Sequence, residues 1–308
     1  METVKDYAVY IGDVALDEYY RADRWPGKAD KENVEALEPV PGGMIANAAC
    51  VRAALGEKTL FWTCMNSGPV SRLLLDDLEK RGIDTSLSVT DDSLPDSKTM
   101  IFLVGDEHTV LIPILNIDHI DITDEMYEVM KNASYIYATS GTLMTLRYKG
   151  RHWNDFSKDL RAEGARVVVD FDVDYERNGD DGRFMTVDIG FFNETGYDSV
   201  REARTYEEQA DKLHRLGMKL VVVTLADKGC VIYEEGKETL HIQARKVDVV
   251  DVTGAGDTFC SSFCSVMDEM GIRKAAEFAT AAASICITSL GARSGAVSKE
   301  EVFKVLGS

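Results

Sequence analysis

The chain has 308 residues, of which 45% are hydrophobic and 28% charged, and its formal net charge is −19. That length accommodates one large α/β domain or two smaller ones, and the composition is typical of a globular protein with ample material for a core. An acidic surface of this kind repels nucleic acid and anionic lipid, since proteins bind both chiefly through clustered lysine and arginine. It does not exclude a small anionic ligand, because a few local donors outweigh a diffuse field.

The sequence shows no sign of export or membrane insertion. No stretch approaches the roughly 20 apolar residues that a membrane-spanning helix requires. The N-terminal METVKDYAVYIGD has no basic start followed by an apolar stretch, so no signal peptide is predicted and a cytoplasmic protein is expected. The six cysteines form no C-x-x-C pair, which favours buried free thiols in a reducing compartment over a disulfide framework or a zinc site.

Short apolar runs alternate with helical patterns over most of the chain. Strands are predicted for residues 8–11, 59–64, 135–138, 167–171, 187–192 and 220–225. The segments IANAACVRAALG, VSRLLLDDLEKRG and AAEFATAAASICITSLG each stop at a glycine and predict helices, and a capping box at residues 298–301 predicts a last one. This alternation predicts an α/β fold with a doubly wound, mainly parallel sheet flanked by helices.

Two segments interrupt this alternation. Residues 13–42 are rich in proline and glycine without a helical period, and residues 95–117 read as a hairpin, KTMIFLV then GDEH then TVLIPIL. Strands without helices, set into an α/β chain, predict a small β-sheet that stands off the main body as a lid. No repeat or interdomain linker is visible, so residues 1–308 are predicted to form a single domain.

The segment VVDVTGAGDTFCSSF joins an apolar run to a predicted helix through Gly254, Gly256 and Asp257. A helix N-terminus offers unpaired N–H groups and a partial positive charge, which suit a phosphate, and glycines let the backbone approach it closely. A carboxylate beside a bound phosphoryl group would repel it unless the carboxylate takes a proton from the attacking hydroxyl. Asp257 is therefore either a general base or an acid that only complements the helix dipole, and the spacing alone leaves both open.

Two motifs resemble the ribokinase-like (PfkB) family of sugar and nucleoside kinases. DVTGAGD is similar to the family's D-T-x-G-A-G-D signature, with Val252 where threonine is usual, and PGGMIANAACVRAALG resembles its N-terminal G-G-x-x-x-N-x-A element. The order of the motifs also matches, so the resemblance spans almost the whole chain. It implies a doubly wound α/β domain with a β lid, ATP with Mg2+ as the phosphate donor, and a sugar-like hydroxyl as the acceptor.

The resemblance also implies roles by position. Asp257 would be the catalytic base, and the N–H groups of Gly254, Ala255 and Gly256 would form the anion hole. The positions implied to bind the acceptor's hydroxyls are Asp13, Asp17, Gly42, Gly43 and Asn47. The alternatives are structural: a glycine turn before a helix, an asparagine bonded within that helix, and ordinary acids at a strand end and in a loop.

The nucleotide side is implied by weaker matches. VVVTLADKGCVIY resembles the family's T-L-G-x-x-G loop, with Ala226 where glycine is usual, a change that is tolerated where φ is negative. On this resemblance Thr224 and Gly229 lie near the nucleotide and Thr280 contacts the adenine. Asp251 matches family members that use a monovalent cation, with K+ as the candidate, although bonding of backbone amides at a strand end explains an aspartate there equally well.

Three departures from the family pattern bear on the chemistry. After TVDIGFF the family has N-x-x-E, whose residues help to hold Mg2+ and the phosphates; here Asn193 is present but Gly196 replaces the glutamate. Glu194 and Asp198 are the acids nearest to that position. Met44 stands where lysine is common in ribokinases, and NSGPVS stands where G-D-D-x-F-G is common. Both changes argue that the acceptor is not plain ribose.

The leading hypothesis is therefore an ATP-dependent kinase that phosphorylates a hydroxymethyl group of a sugar, sugar acid or related polyol. One alternative is a nucleoside kinase, whose base would pack on Trp25, Met44 and Phe102. Another is a ligand-binding pseudokinase without turnover, motivated by Gly196. A nicotinamide oxidoreductase ranks last, because no dinucleotide fingerprint follows the first strand. A homodimer through the edges of the lid sheet is expected, without nucleic acid or membrane as a partner.

Overall fold

The computed structural model describes residues 5–105, 107–172 and 181–307. The strands are β1 (Tyr7–Ile11), β2 (Ala15–Ala22), β3 (Glu35–Ala36), β4 (Val40–Gly42), β5 (Lys58–Trp62), β6 (Cys64–Met65), β7 (Val89–Thr90), β8 (Lys98–Val104), β9 (Glu107–Leu111), β10 (Ile120–Asp121), β11 (Tyr135–Thr139), β12 (Leu146–Tyr148), β13 (Arg151–His152), β14 (Val167–Asp170), β15 (Ile189–Asn193), β16 (Leu220–Thr224), β17 (Cys230–Glu234) and β18 (Leu240–Ile242). The helices are α1 (Met44–Ala54), α2 (Pro69–Lys80), α3 (Asp124–Asn132), α4 (Ser140–Thr145), α5 (Trp153–Ala162), α6 (Glu194–Val200), α7 (Tyr206–Arg215), α8 (Ala255–Met270), α9 (Ile272–Cys286) and α10 (Lys299–Leu306).

The main sheet has the strand order β18-β17-β16-β15-β14-β11-β1-β5. Its strands run parallel from β16 to β5, whereas β17 and β18 are antiparallel at one edge. Helices cover both faces, and the predicted doubly wound, mainly parallel α/β fold is thereby confirmed. Predicted strand ends shift by a few residues: the run 59–64 divides into β5 and β6, and the run 187–192 becomes β15.

The core lies on both sides of this sheet because its central strands are apolar on both faces. All four residues of β14 are buried. Phe263 of α8 and Phe278 of α9 are fully buried on one face, and Trp153 and Phe156 of α5 on the other. The six cysteines are buried free thiols, as predicted. In the described part of the chain, no helix combines the length and the apolar character needed to cross a bilayer.

The parallel strands bring several polar residues to one edge of the sheet. The carboxyl ends of parallel strands meet at the same edge, which is where ligands bind in open α/β sheets. β1 leads into Asp13, β14 leads into Asp172, β15 ends at Asn193 and β16 ends at Thr224. Strand topology alone therefore gathers side chains that lie far apart in the sequence.

A second sheet is built from the two segments that interrupt the α/β alternation. Its order is β3-β2-β8-β9, with β4 also paired to β2. β2 and β8 run parallel with Leu16 opposite Lys98, and β8 and β9 form the predicted hairpin. The small sheet expected from the sequence is present, and its action as a lid stays a prediction.

Candidate active site

The N-terminus of α8 begins at two glycines with different surroundings. Gly254, the N-cap, has φ 80° and ψ 1°, and a Cβ placed on it would lie 2.1 Å from the carbonyl oxygen of Ala292. Only glycine fits there, because both the left-handed backbone and the close approach exclude a side chain. A Cβ on Gly256 would meet nothing within 4 Å, so this position borders open space. The N–H of Ala255 donates to the carbonyl of Val252 at 3.2 Å.

Asp257 lies in the first turn of α8 and is tied to α1. Asn47 Nδ2 donates to Asp257 Oδ2 at 3.0 Å, and the Asn47 backbone N–H donates to the carbonyl of Gly43. Burial raises the pKa of the Asp257 carboxyl well above its usual range, and the hydrogen bond from Asn47 opposes that shift. Because a raised pKa means a higher affinity for a proton, the group is suited to accept one from a nearby hydroxyl.

Asp17, on β2, is buried beside Gly42. A Cβ on Gly42 would lie 1.9 Å from Asp17 Oδ2, so the glycine provides the room for this carboxylate. Burial raises the pKa of Asp17 to about 6, while a hydrogen bond from Thr99 and the charge of Arg293 pull it down. A carboxylate of this kind is a strong acceptor for ligand hydroxyl groups.

Asp13 caps α1 from outside the helix. Its Oδ2 accepts the N–H of Met44 at 3.2 Å, and its backbone carbonyl accepts the N–H of Ala46 at 3.3 Å. Gly43, the N-cap residue, has no side chain for this purpose and adopts φ 96°. The structural alternative for Asp13 is therefore present in the geometry, while its carboxylate also lies close enough to Asp257 to raise the pKa of that group.

Sequence reasoning missed Arg293, which is almost fully buried in this site. Its Nε donates to Asn47 Oδ1 at 3.0 Å, its Nη2 donates to the carbonyl of Gly42 at 3.1 Å, and its Nη1 forms an ion pair with Asp77 of α2. Arg293 comes from the loop before α10, 246 residues after Asn47. No local pattern in GARSGAV signals such a contact.

Sequence reasoning also missed Asp170 and Asp172. Asp170 is buried at the end of β14, accepts the hydroxyl of Tyr137 at 3.0 Å and the N–H of Asp172 at 3.1 Å, and has a pKa raised by burial to about 6. Both carboxylates raise the pKa of Asp257. Their signal was available, since VVVDFD places acids directly after a fully apolar strand.

The missing glutamate has a steric explanation. Asn193 caps α6, where its Oδ1 accepts the N–H of Gly196 at 2.6 Å, and its Nδ2 donates to Asp172 Oδ1 at 2.5 Å. A Cβ on Gly196 would lie 1.7 Å from the backbone oxygen of Asp172. The chain that follows β14 therefore occupies the space a glutamate would need. Glu194 instead pairs with Lys228 at 3.5 Å, and Asp198 pairs with Arg201 at 3.0 Å.

In the predicted nucleotide loop, Ala226 does not meet the condition under which alanine replaces glycine without strain. Thr224 ends β16, and Gly229 follows the 3-10 turn Ala226–Lys228, so the two lie at the carboxyl edge of the sheet. Ala226 has φ 51°, not the negative value that would make alanine tolerable in place of glycine. The loop keeps the left-handed conformation that glycine adopts freely, and the methyl group is accommodated at a cost in backbone strain.

Thr280 and Asp251 have partners within the protein. The Thr280 hydroxyl donates to the carbonyl of Ala276 within α9 at 2.8 Å. Asp251 Oδ1 accepts from the N–H and the hydroxyl of Thr253 at 2.9 and 2.7 Å, and its Oδ2 accepts the N–H of Gly291 at 2.9 Å. Asp251 thus has the amide-bonding role, which joins two loops. Among the described residues no group of three or more His, Cys, Asp or Glu side chains is placed to hold a metal ion.

The arrangement combines a carboxyl group of raised pKa with the N-terminus of a helix, which is a type of helix end that suits an anion. Asp257 is held by Asn47 beside the open space at Gly256, and Asp17 lies on the side of the small sheet. In chemical terms, such an arrangement is suited to accepting a proton from a hydroxyl group next to N–H groups that can stabilise negative charge.

Comparison with known proteins places this geometry in a family. The ribokinase of Arabidopsis thaliana is 24% identical over 314 aligned residues, which cover 97% of this chain and 80% of that protein. The solved structure of Arabidopsis thaliana ribokinase complexed with ribose and ATP has a TM-score of 0.82 at 22% identity and covers 99% of both chains. A putative ribokinase II from E. coli in complex with ATP and Mg2+ has a TM-score of 0.78 at 18% identity, again over 99% of both chains.

The TM-scores show that these solved structures share the fold of this chain, and at identities this low they show the fold alone. The family is established by a separate match, which extends over residues 5–299 and is described as pfkB family carbohydrate kinase. Since that match covers nearly the whole chain, the protein belongs to the pfkB family of carbohydrate kinases.

Proposed function

We propose that this protein transfers the γ-phosphoryl group of ATP to a hydroxymethyl group of a sugar or related polyol, with Asp257 as the general base. The observation that carries the proposal is the position of Asp257: it lies in the first turn of α8, one residue from the open space at Gly256, and accepts a hydrogen bond from Asn47. The family match supports sugar phosphorylation, and solved structures of the same fold hold ATP, ribose or Mg2+.

Asp257 would remove the acceptor's proton as the hydroxyl attacks. Its raised pKa brings its proton affinity closer to that required of a base at neutral pH. Asn47 orients the carboxylate by donating to Oδ2, which leaves Oδ1 for the acceptor hydroxyl. The N-terminal N–H groups of α8, with the helix dipole behind them, would stabilise the charge on the transferring phosphoryl group.

The nucleotide side would be formed by Asn193, Thr224, Gly229 and Asp172 at the carboxyl edge of the sheet. Mg2+ prefers oxygen ligands and is usually held by one or two carboxylates, phosphates and water. Asp172, bonded to Asn193, offers such a carboxylate in place of the missing glutamate, so the residues present fit the ion. When bound, Mg2+ would neutralise charge on the phosphates. We place a K+ ion, where one is used, at the loops that Asp251 joins.

The acceptor side favours a neutral polyhydroxy compound over a sugar acid. Asp17 and Asp13 are carboxylates, which accept hydrogen bonds from hydroxyl groups and repel a second carboxylate. Arg293 is a cation near Asp17, and its guanidinium already contacts Asp77, Asn47 and Gly42. We therefore rank neutral sugars and polyols above sugar acids.

The two aromatic residues suggested to pack on a nucleoside base, Phe102 and Trp25, do not face the acceptor side. Asp17 pairs with Thr99 across β2 and β8, and Tyr20 pairs with Phe102. Successive side chains of a strand point to opposite faces, so Phe102 lies on the face of the small sheet opposite to Asp17. Phe102 stacks on Tyr20 at 5.3 Å and packs edge-on against Trp25 at 5.5 Å. These rings are placed away from the acceptor rather than around a base.

We also propose a cytoplasmic homodimer that pairs through the small sheet. β9 is an edge strand of that sheet, and an edge presents backbone groups that another strand can pair with. Val110, Leu111 and Ile112 at this edge are 44%, 43% and 73% exposed. The concentration dependence of the mass measured by analytical ultracentrifugation tests this assignment, and Val110→Lys is expected to yield a monomer.

The test of the proposed function is coupled ADP release with ATP, Mg2+ and K+ across neutral sugars, matched sugar acids, polyols and nucleosides. Asp257→Asn is measured beside the wild type, with Glu269→Gln as a control that removes an exposed acid from the same helix. We expect turnover with neutral sugars or polyols, a loss of about 100-fold to 10,000-fold in kcat in Asp257→Asn, and no change in the control.

Three results would contradict parts of this proposal. Turnover retained in Asp257→Asn would remove that residue as the base. Turnover with nucleosides alone would replace the acceptor class. Silence with every acceptor, together with thermal stabilisation by ATP and by sugar, would identify a binding protein without turnover and refute the kinase assignment.

A further inference from the structure

The side chain of Asn47 stands between two groups of opposite hydrogen-bonding character. Its Oδ1 accepts from Arg293 Nε at 3.0 Å, and its Nδ2 donates to Asp257 Oδ2 at 3.0 Å. A guanidinium has only donors, an ionised carboxylate has only acceptors, and an amide has one end of each kind. The orientation of the Asn47 amide is therefore determined by its two neighbours together. In the reverse orientation its oxygen would face the carboxylate and its NH2 group the guanidinium.

Arg293 is itself held firmly enough to impose that orientation. Its side chain is 9% exposed, and its three nitrogens have separate partners: Asn47, Asp77 and the carbonyl of Gly42. Those partners belong to α1, α2 and the end of β4. A planar donor group bonded to three elements has little freedom to rotate, so it presents Nε to Asn47 in one geometry.

The charges around Asp257 favour its protonated form, so the hydrogen bond from Asn47 matters for keeping Asp257 ionised. Asp13 after β1, and Asp170 and Asp172 at the end of β14, all raise the pKa of Asp257, and burial raises it most. The hydrogen bond from Asn47 acts in the opposite direction, towards the ionised form. Other charged or titratable groups that the described residues bring near this cluster include Asp17 on β2, Cys260 one turn along α8, and Arg293.

We propose that Arg293 is a positioning residue, which fixes the Asn47 amide with its donor towards Asp257 and so keeps that carboxyl able to accept a proton. Arg293 acts through Asn47 rather than by touching substrate. That Asp257 is the base rests on the proposed function, whereas the link between Arg293 and the protonation of Asp257 does not.

The link is measured directly in the free protein, without an acceptor. Protein labelled with 13C at the aspartate carboxyl carbons is titrated by NMR across the pH range in which the fold persists, and the Asp257 signal is assigned by its absence from Asp257→Asn. In Arg293→Gln we expect the Asp257 titration to move up by about one to two pH units, the value of a hydrogen bond to a charged group. In Asn47→Leu we expect a similar move.

The double variant separates action through Asn47 from a direct effect of charge. If Arg293 works through the amide, Arg293→Gln produces no further move once Asn47→Leu is in place. An equal move in both backgrounds would overturn the proposal, because it would show that the guanidinium acts on the carboxylates by its charge alone. An unchanged Asp257 titration in Arg293→Gln would overturn it as well.

Two variants guard against a general loss of structure. Arg293→Lys keeps the charge but lacks the fork, so its Asp257 titration is expected to move up as well. Asp77→Asn keeps an acceptor for Arg293 Nη1 and leaves both hydrogen bonds of Asn47 in place, so its Asp257 titration is expected to match the wild type. A wild-type titration in Arg293→Lys would contradict the role assigned to the fork, and a full move in Asp77→Asn would show that the charge near Arg293, rather than the amide orientation, sets the Asp257 titration.

The same variants carry a kinetic signature once an acceptor is known. The acid limb of the kcat profile in Arg293→Gln is expected to shift up with the NMR titration, with KM for ATP unchanged. A protein that shows the NMR shift but no turnover would retain the link and lose the proposed function. Turnover with no NMR shift would retain the function and lose the link.

Discussion

Gly254→Ala is expected to lower the stability of the protein, whereas Gly256→Ala is expected to lower turnover and leave stability intact. The two residues flank Ala255 at the start of α8, and the sequence motif treats them alike. In the structure, a Cβ on Gly254 would lie 2.1 Å from Ala292 oxygen, whereas a Cβ on Gly256 would contact nothing within 4 Å. Gly254 is therefore required by the fold, whereas we expect Gly256 to be required by the ligand that occupies the open space beside it.

The size of each effect follows from this geometry. Gly254 has φ 80°, and an alanine in that region costs about 1–2 kcal/mol. Relief of the contact with the Ala292 backbone adds about 1–3 kcal/mol, as overpacking does. Gly254→Ala should thus lose about 2–5 kcal/mol of unfolding free energy, a large part of a typical total of about 5–15 kcal/mol. Gly256→Ala should gain up to about 1 kcal/mol, because alanine is the better helix former.

Urea denaturation of both variants measures these free energies, and ADP release measures turnover. In Gly256→Ala we expect stability at or above that of the wild type, with kcat/KM lowered at least about tenfold because the methyl group intrudes where the phosphoryl group would approach. The reasoning is refuted if Gly254→Ala unfolds at the wild-type urea concentration. It is equally refuted if Gly256→Ala is as active as the wild type.

Three further outcomes are expected. Ala226→Gly should raise the unfolding free energy by about 0.5 kcal/mol in urea denaturation. The change removes a left-handed strain of about 1–2 kcal/mol, and this gain exceeds the loss from the greater entropy that glycine gives the unfolded chain. A loss of stability would contradict the strain assigned there. Asp17 and Asp170 have pKa values raised to about 6 from 3.8, so their contribution to stability is fully present below the lower value and is lost as pH rises through the higher one. Asp17→Asn should therefore be the more stable protein by about 1–3 kcal/mol at neutral pH and lose that advantage in acid, as followed by urea denaturation against pH. Asp251→Ala should lose about 1.5–3 kcal/mol, because the N–H groups of Thr253 and Gly291 lose their acceptor, and any stimulation of turnover by K+ should disappear with it.

Local signals predicted the fold and the segment around Asp257 well. Apolar runs and glycine stops identify the strands and helices, because a strand buried on both faces is apolar at every position over a few consecutive residues. GAGD predicts a helix N-terminus with a carboxylate in its first turn because its glycines stand between an apolar run and a helical pattern. The family resemblance implied separate roles for Asn47 and Asp257, whereas the hydrogen bond between them, across 210 residues, was not predicted.

The features that were missed depend on contacts that no window contains. Arg293 lies in a loop, and its partners on α1, α2 and β4 are assembled only by the fold. The sequence left the φ of Ala226 open, because the motif's glycine, which would indicate a left-handed backbone, is absent there. Gly196 looked like the loss of a ligand, whereas the backbone of Asp172 explains it as a matter of space.

The position of Gly196 also bears on how the chain could change over time. A new side chain at residue 196 would collide with the Asp172 oxygen, so a glutamate returns there only after the segment following β14 has moved aside. A side chain at residue 196 without the backbone movement would be strained, and the backbone movement alone would bring no glutamate into the site. A chain with this backbone is therefore separated from one with N-x-x-E by two coupled changes rather than by a single substitution.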